Sequence, residues 1–133
     1  MKFSHVALNC KDVDATIDFY SSIFGFHTAR SFDLENGGKI VFLKLGDSYL
    51  ELFPAEGTGD THQADGPKQQ GVLRHIAFQV DSVDQVLETI GDRAEVTLGP
   101  LDFDAFIPGW RTVWVRDPDG NIVEISQGYQ DAQ

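Results

Sequence analysis

One cysteine, Cys10, stands in a chain of 133 residues. That excludes an intrachain disulfide and points to a reducing, cytoplasmic setting. Cys10 itself reads as a small buried strand residue. Basic residues are scarce, with 10 Lys and Arg against 21 Asp and Glu and a net charge of −11. Such a balance argues against nucleic acid and against an anionic membrane as partners, and it suits a cation, either a metal or a cationic small molecule. No apolar run approaches the roughly 18 residues of a membrane-spanning helix. The opening Met1-Lys2-Phe3-Ser4-His5 lacks the apolar core of a signal peptide. Histidine is rare as well: His5, His27, His62 and His75 are the four.

Two of those four share a register. Leu73-Arg74-His75-Ile76-Ala77-Phe78-Gln79-Val80 alternates as a half-buried strand does, and Ser4-His5-Val6-Ala7-Leu8-Asn9 says nearly the same. His5 and His75 are 70 residues apart. At that offset Val6 matches Ile76, Ala7 matches Ala77, Leu8 matches Phe78, Asp14 matches Asp84 and Ile17 matches Leu87. A sustained offset is an internal repeat.

The two halves read alike. Residues 2–10 form a strand. Asp12 offers an N-cap to a helix over 13–24, with Val13, Ile17, Tyr20 and Phe24 on its apolar face and Gly25 as its stop. Strands follow at 27–34, 39–45 and 49–53, the first two joined across Asn36-Gly37-Gly38. The second half runs as a strand over 72–80, a helix opened by Ser82 and Gln85 and closed at Gly91, and a short strand over 94–98. An irregular stretch from Gly99 to Gly109 comes next, then strands over 110–116 and 121–127 joined by the Asp117-Pro118-Asp119-Gly120 turn. The expected fold is α+β: two tandem βαβββ modules forming a cupped mixed sheet. The modules span 1–56 and 71–128, with a linker over 57–70 rich in Gly and polar residues and a frayed tail at 129–133, all in one compact unit. His62 reads as a solvated loop residue.

Each half places a glutamate on its last strand: Glu51 between Leu50 and Leu52, Glu124 between Val123 and Ile125. If the apolar faces pack on the helices, His5, Glu51, His75 and Glu124 project from the opposite faces into the cup. One such residue on a wet strand face is ordinary. Two histidines and two glutamates in matched positions form a ligand set for one divalent metal: zinc, nickel, cobalt, manganese or iron(II). Asn9, Phe53, Phe106, Trp110 and Arg111 are the candidate pocket residues, with Phe103 beside them as an apolar wall.

These residues, together with Arg116-Asp117-Pro118-Asp119-Gly120-Asn121-Ile122-Val123-Glu124-Ile125, resemble the vicinal oxygen chelate superfamily over residues 2–127. That superfamily includes glyoxalase, methylmalonyl-CoA epimerase, fosfomycin-resistance proteins, extradiol dioxygenases and bleomycin-resistance proteins. The resemblance implies a metal held by His5, Glu51, His75 and Glu124, a four-ligand set most like that of glyoxalase. It also implies a homodimer, with each site either within one chain or shared, His5 and Glu51 then facing His75 and Glu124 of a second copy. Glutathione-dependent members carry Arg where Asn9 stands and often Asn where Ala55 stands, and residues 99–108 here hold no Lys or Arg. The expected activity is that of a metal-dependent isomerase or lyase on a small substrate with vicinal oxygens. The metal stabilises an enediolate, and Glu51 or Glu124 moves the proton. The alternatives are an iron(II) dioxygenase and a non-catalytic protein that sequesters a small molecule or drug.

Overall fold

The computed structural model describes all 133 residues, which divide into two compact units, residues 1–59 and 60–133. In the first, β1 (His5–Cys10), α1 (Val13–Phe24), β2 (His27–Asp33), β3 (Lys39–Leu45) and β4 (Ser48–Pro54) follow in order. Their sheet runs β1-β4-β3-β2, with β1 and β4 parallel and the other pairs antiparallel. Alternation decides which face is buried. Leu8, Cys10, Val41, Leu43, Leu50 and Leu52 are all at most 6% exposed and share one side. α1 covers them, burying Thr16, Phe19 and Tyr20. Each fully buried side chain of this size contributes about 1.5–3 kcal/mol. The helix starts where Asp12 accepts a hydrogen bond from the Ala15 amide, and it ends on Gly25 in the left-handed region.

The second unit repeats the plan with β5 (Ile76–Gln79), α2 (Val83–Ile90), β6 (Val96–Asp102), β7 (Arg111–Arg116) and β8 (Ile122–Gln127). Its sheet runs β5-β8-β7-β6, again with first and last strands parallel. Val113, Val115, Val123 and Ile125 are fully buried on one side. Ser82 caps α2 by accepting from the Gln85 amide. The α+β class and the two βαβββ modules are those expected, realised as two four-stranded mixed sheets.

Three elements depart from the sequence reading. β1 begins at His5 rather than at 2, since its ladder with β4 starts at the His5–Tyr49 pair and residues 1–4 are exposed. β5 begins at Ile76 rather than at 72, because Val72 and Leu73 have no strand partner and remain exposed. β6 extends to Asp102, through the region read as irregular. Its register shifts twice, around a Gly99-Pro100 step with Gly99 at φ +89°. A Cβ at Gly99 would lie 3.0 Å from the Thr112 carbonyl oxygen, so the strand passes there only as glycine.

Candidate functional site

β1 is hydrogen-bonded to β4, so a histidine at the start of one and a glutamate within the other fall side by side. His5 Nε2 lies 3.2 Å from Glu51 Oε1. The same pairing of β5 with β8 sets His75 Nε2 2.8 Å from Glu124 Oε1. Glu51 and Glu124 keep 18% and 16% of their side-chain surface, so both carboxylates remain reachable. The Asp-Pro-Asp-Gly-Asn turn fixes the second pair. Buried Asp117 accepts hydrogen bonds from the amides of Asp119 and Asn121 and from the Asn121 side chain, and Gly120 takes φ +87°. That closure sets the β7–β8 register in which Glu124 stands opposite Trp114.

The histidines are held from behind. His75 Nδ1 is 2.7 Å from the backbone carbonyl of Asp65. A carbonyl only accepts, so Nδ1 carries the proton and the neutral ring leaves Nε2 bare. A bare nitrogen facing a carboxylate oxygen places two acceptors in contact. The pair is complete only with a cation, either a proton on Nε2 or a metal ion. An anchored Nδ1–H with Nε2 beside a carboxylate is also how ligating histidines are oriented. The donor set therefore fits a divalent metal. His5 Nδ1 is 2.8 Å from Ser4 Oγ, which can donate or accept.

The Asp65 carbonyl is itself positioned. Arg74 donates to Asp65 Oδ2 from Nη2 at 2.6 Å and from Nε at 3.1 Å. That guanidinium holds the Asp65 carboxyl below its ordinary value of 3.8, against the opposing effect of burial. Gly66 follows at φ +111°, and a Cβ there would come within 1.7 Å of the Arg74 carbonyl oxygen. Glu124 has a second restraint: Thr112 Oγ1 lies 2.9 Å from its Oε2 and 3.0 Å from the Ile125 carbonyl, two acceptors for one hydroxyl proton.

The repeat extends further than the sequence reading found. Phe42 stands opposite Glu51 and meets the His5 ring edge-to-face at 5.6 Å. Trp114 stands opposite Glu124 and meets the His75 ring in the same manner at 6.3 Å. The available signal was an aromatic nine and ten residues before each glutamate (51 − 42 and 124 − 114). Asp65, Thr112 and Ser4 were missed as well.

The pocket residues divide. Asn9 and Phe53 oppose each other on the face that carries Glu51. Trp110 donates from Nε1 to Ser126 Oγ, on the face that carries Glu124, and packs on Phe103 with ring centroids 5.1 Å apart. Phe106 is 77% exposed and touches Phe103. The structure separates Arg111 from these. It projects on the helix side of its sheet, where Asp84 of α2 and Asp102 of β6 clamp its two Nη atoms at 3.0 Å. His5 pairs with Glu51 in the first unit and His75 with Glu124 in the second.

The family model described as Glyoxalase/Bleomycin resistance protein/Dioxygenase superfamily matches residues 2–125. The chain belongs to this superfamily. Among its relatives, the lactoylglutathione lyase of Pseudomonas aeruginosa is 28% identical, across 94% of this chain and 81% of that protein. The solved glyoxalase family protein from Enterococcus faecalis is 30% identical, with a TM-score of 0.65 and 92% of each chain covered. The fosfomycin resistance protein FosX of Listeria monocytogenes shares the fold at 21% identity, with a TM-score of 0.72 and 93% and 90% of the two chains covered. That structure holds Mn(II) and 1S,2S-dihydroxypropylphosphonic acid. The superfamily thus takes in lyases and resistance proteins, and Mn(II) is recorded in the FosX fold neighbour. No helix of this chain is long and apolar enough to cross a membrane.

Proposed function

We propose that this glyoxalase-superfamily chain is a divalent-metal-dependent isomerase or lyase acting on a small substrate with two neighbouring oxygens. The observation that carries the reading is the pair of equivalent His–Glu contacts, with His75 Nδ1 anchored on the Asp65 carbonyl so that Nε2 faces Glu124. His5, Glu51, His75 and Glu124 are the residues that hold the metal. When bound, that ion supplies Lewis acidity to the substrate's vicinal oxygens. Every other part of the reaction falls to the chain's own groups. The histidines keep fixed orientation. The carboxylates are within reach, and one of them takes a proton from one substrate carbon and returns it to the next. Phe42 and Trp114 wall the histidine rings and limit water there.

Two ligands do not satisfy a catalytic metal, which takes three protein ligands or more. The reading includes, as the superfamily resemblance implies, a homodimer in which the His5–Glu51 pair of one copy meets the His75–Glu124 pair of another. Metal content by mass spectrometry, on protein purified without an affinity metal, tests the first part. About one tightly held divalent ion per chain supports the reading, and none after reloading with zinc, nickel, manganese and iron(II) overturns it. Mixing His5→Ala and His75→Ala chains tests the second: restored metal sites support sharing, and no restoration after verified subunit exchange rejects it. Glu51→Gln and Glu124→Gln then identify the base, as the variant that retains metal yet loses about 10²-fold or more in turnover.

A further inference from the structure

Charge is distributed unevenly across the first unit. On the sheet face that carries Glu51, β2 and β3 contribute His27, Arg30 and Lys44 and no carboxylate. Asp33 and Lys39 point to the other side, where Lys39 meets Asp14 of α1 at 2.7 Å. Lys39, Arg74, Arg111 and Arg116 each hold a carboxylate. Arg30 and Lys44 do not. The Arg30 guanidinium rests 5.3 Å from the centre of the Phe32 ring, and Lys44 Nζ rests 5.6 Å from the centre of the Tyr49 ring. Aromatic seats of this kind hold a cation in place and leave its outward N–H groups free for an anion.

Register ties these cations to the site. Arg30 stands opposite Phe42, which stands opposite Glu51. Lys44 stands opposite Tyr49, which stands opposite His5. Two strand spacings put each cation's backbone about 10 Å from its ligand residue, within reach of one small molecule bridging both. Phe32, 45% exposed beside Arg30, offers that molecule an apolar surface.

We infer that the β2–β3 part of this face is an oxyanion subsite. It takes a carboxylate, phosphonate or phosphate group of the substrate, with the attached carbon skeleton laid against Phe32 and Phe42. Arg30 supplies a planar fork to that group, and Lys44 adds positive charge to the same face. The inference rests on the proposed reaction site at Glu51, since only then does the anion belong to a substrate.

The test is an amide-resonance titration of the full-length chain, without added metal, using benzoate, phenylphosphonate and neutral benzamide. Benzoate or phenylphosphonate is expected to shift resonances of β2 and β3 around Arg30, Phe42 and Lys44, and benzamide is not. Tighter phenylphosphonate binding identifies a phosphonate or phosphate group, and tighter benzoate binding a carboxylate. The Arg30→Gln/Lys44→Gln variant weakens anion binding by about tenfold or more, and Arg30→Lys/Lys44→Arg retains it. Equal binding of benzamide, shifts confined to other elements, or undiminished binding by the double Gln variant overturns the subsite. A parallel metal titration separates the two readings. Zinc uptake is unchanged in the double Gln variant, and failure of the wild-type chain to take zinc, nickel, manganese or iron(II) defeats the metal-site proposal while leaving the anion result standing.

Discussion

The backbone carbonyl of Asp65 orients the imidazole of His75 across 2.7 Å. This single contact fixes the tautomer, and through it the atom that faces Glu124. It comes from a loop that crosses the Arg74 backbone so closely that only glycine fits at position 66.

Gly66→Ala removes that arrangement. The added methyl cannot coexist with the Arg74 carbonyl, and alanine is strained at φ +111° besides. The loop must move, and His75 loses its anchor. Zinc affinity is expected to fall by about 10–100-fold, the range for loss of a partner behind a ligating histidine. Calorimetric titration of the folded variant reads it, and unaltered affinity would show that the carbonyl is dispensable.

Asp65 also links stability to acid. Its folded-state carboxyl lies below the ordinary value, so its pairing with Arg74 contributes in full above about 3.8. That contribution is lost as the pH falls through the lowered folded value. Denaturant midpoints of wild type and Asp65→Asn are therefore expected to converge in acid, the wild type being the more stable at neutral pH. A constant difference across the range would contradict this.

Thr112→Val keeps the shape of a buried side chain and removes the hydroxyl beside Glu124 Oε2. The carboxylate is then free to turn away from His75. The expected result is a roughly tenfold loss of metal affinity, as for other partners of a ligating group. The parallel change in the first unit is uninformative, because Ile40 there has no hydroxyl to lose.

Much of this was legible in the chain itself. Strand alternation around Leu50-Glu51-Leu52 and Val123-Glu124-Ile125 assigned both glutamates to the wet face, and the 70-residue offset placed the histidines in one register. Phe42 and Trp114 escaped notice because a large apolar residue on a strand looks like core whichever face it takes. Residues 110–116 do not alternate in polarity, so nothing local showed that Arg111 turns toward α2 and Thr112 toward Glu124. Asp65 left no trace at all, since its contact with His75 is made by a carbonyl that every residue carries. The extra length of β6 was hidden by Gly99-Pro100, which reads as a strand breaker and here is absorbed by two register shifts.

In both units the first strand is laid against the last. His5 therefore meets Glu51, and His75 meets Glu124, only after nearly the whole unit has been drawn into a closed loop. Closing a loop of that length costs entropy that is recovered only as the remaining contacts form. A chain halted before β4 has a histidine but no pair, and an unravelling edge at β2 or β6 leaves the pair standing. Each donor pair thus marks the docking of the last strand on the first within its own unit, and metal capture, which needs both kinds of pair, would report that both units had closed.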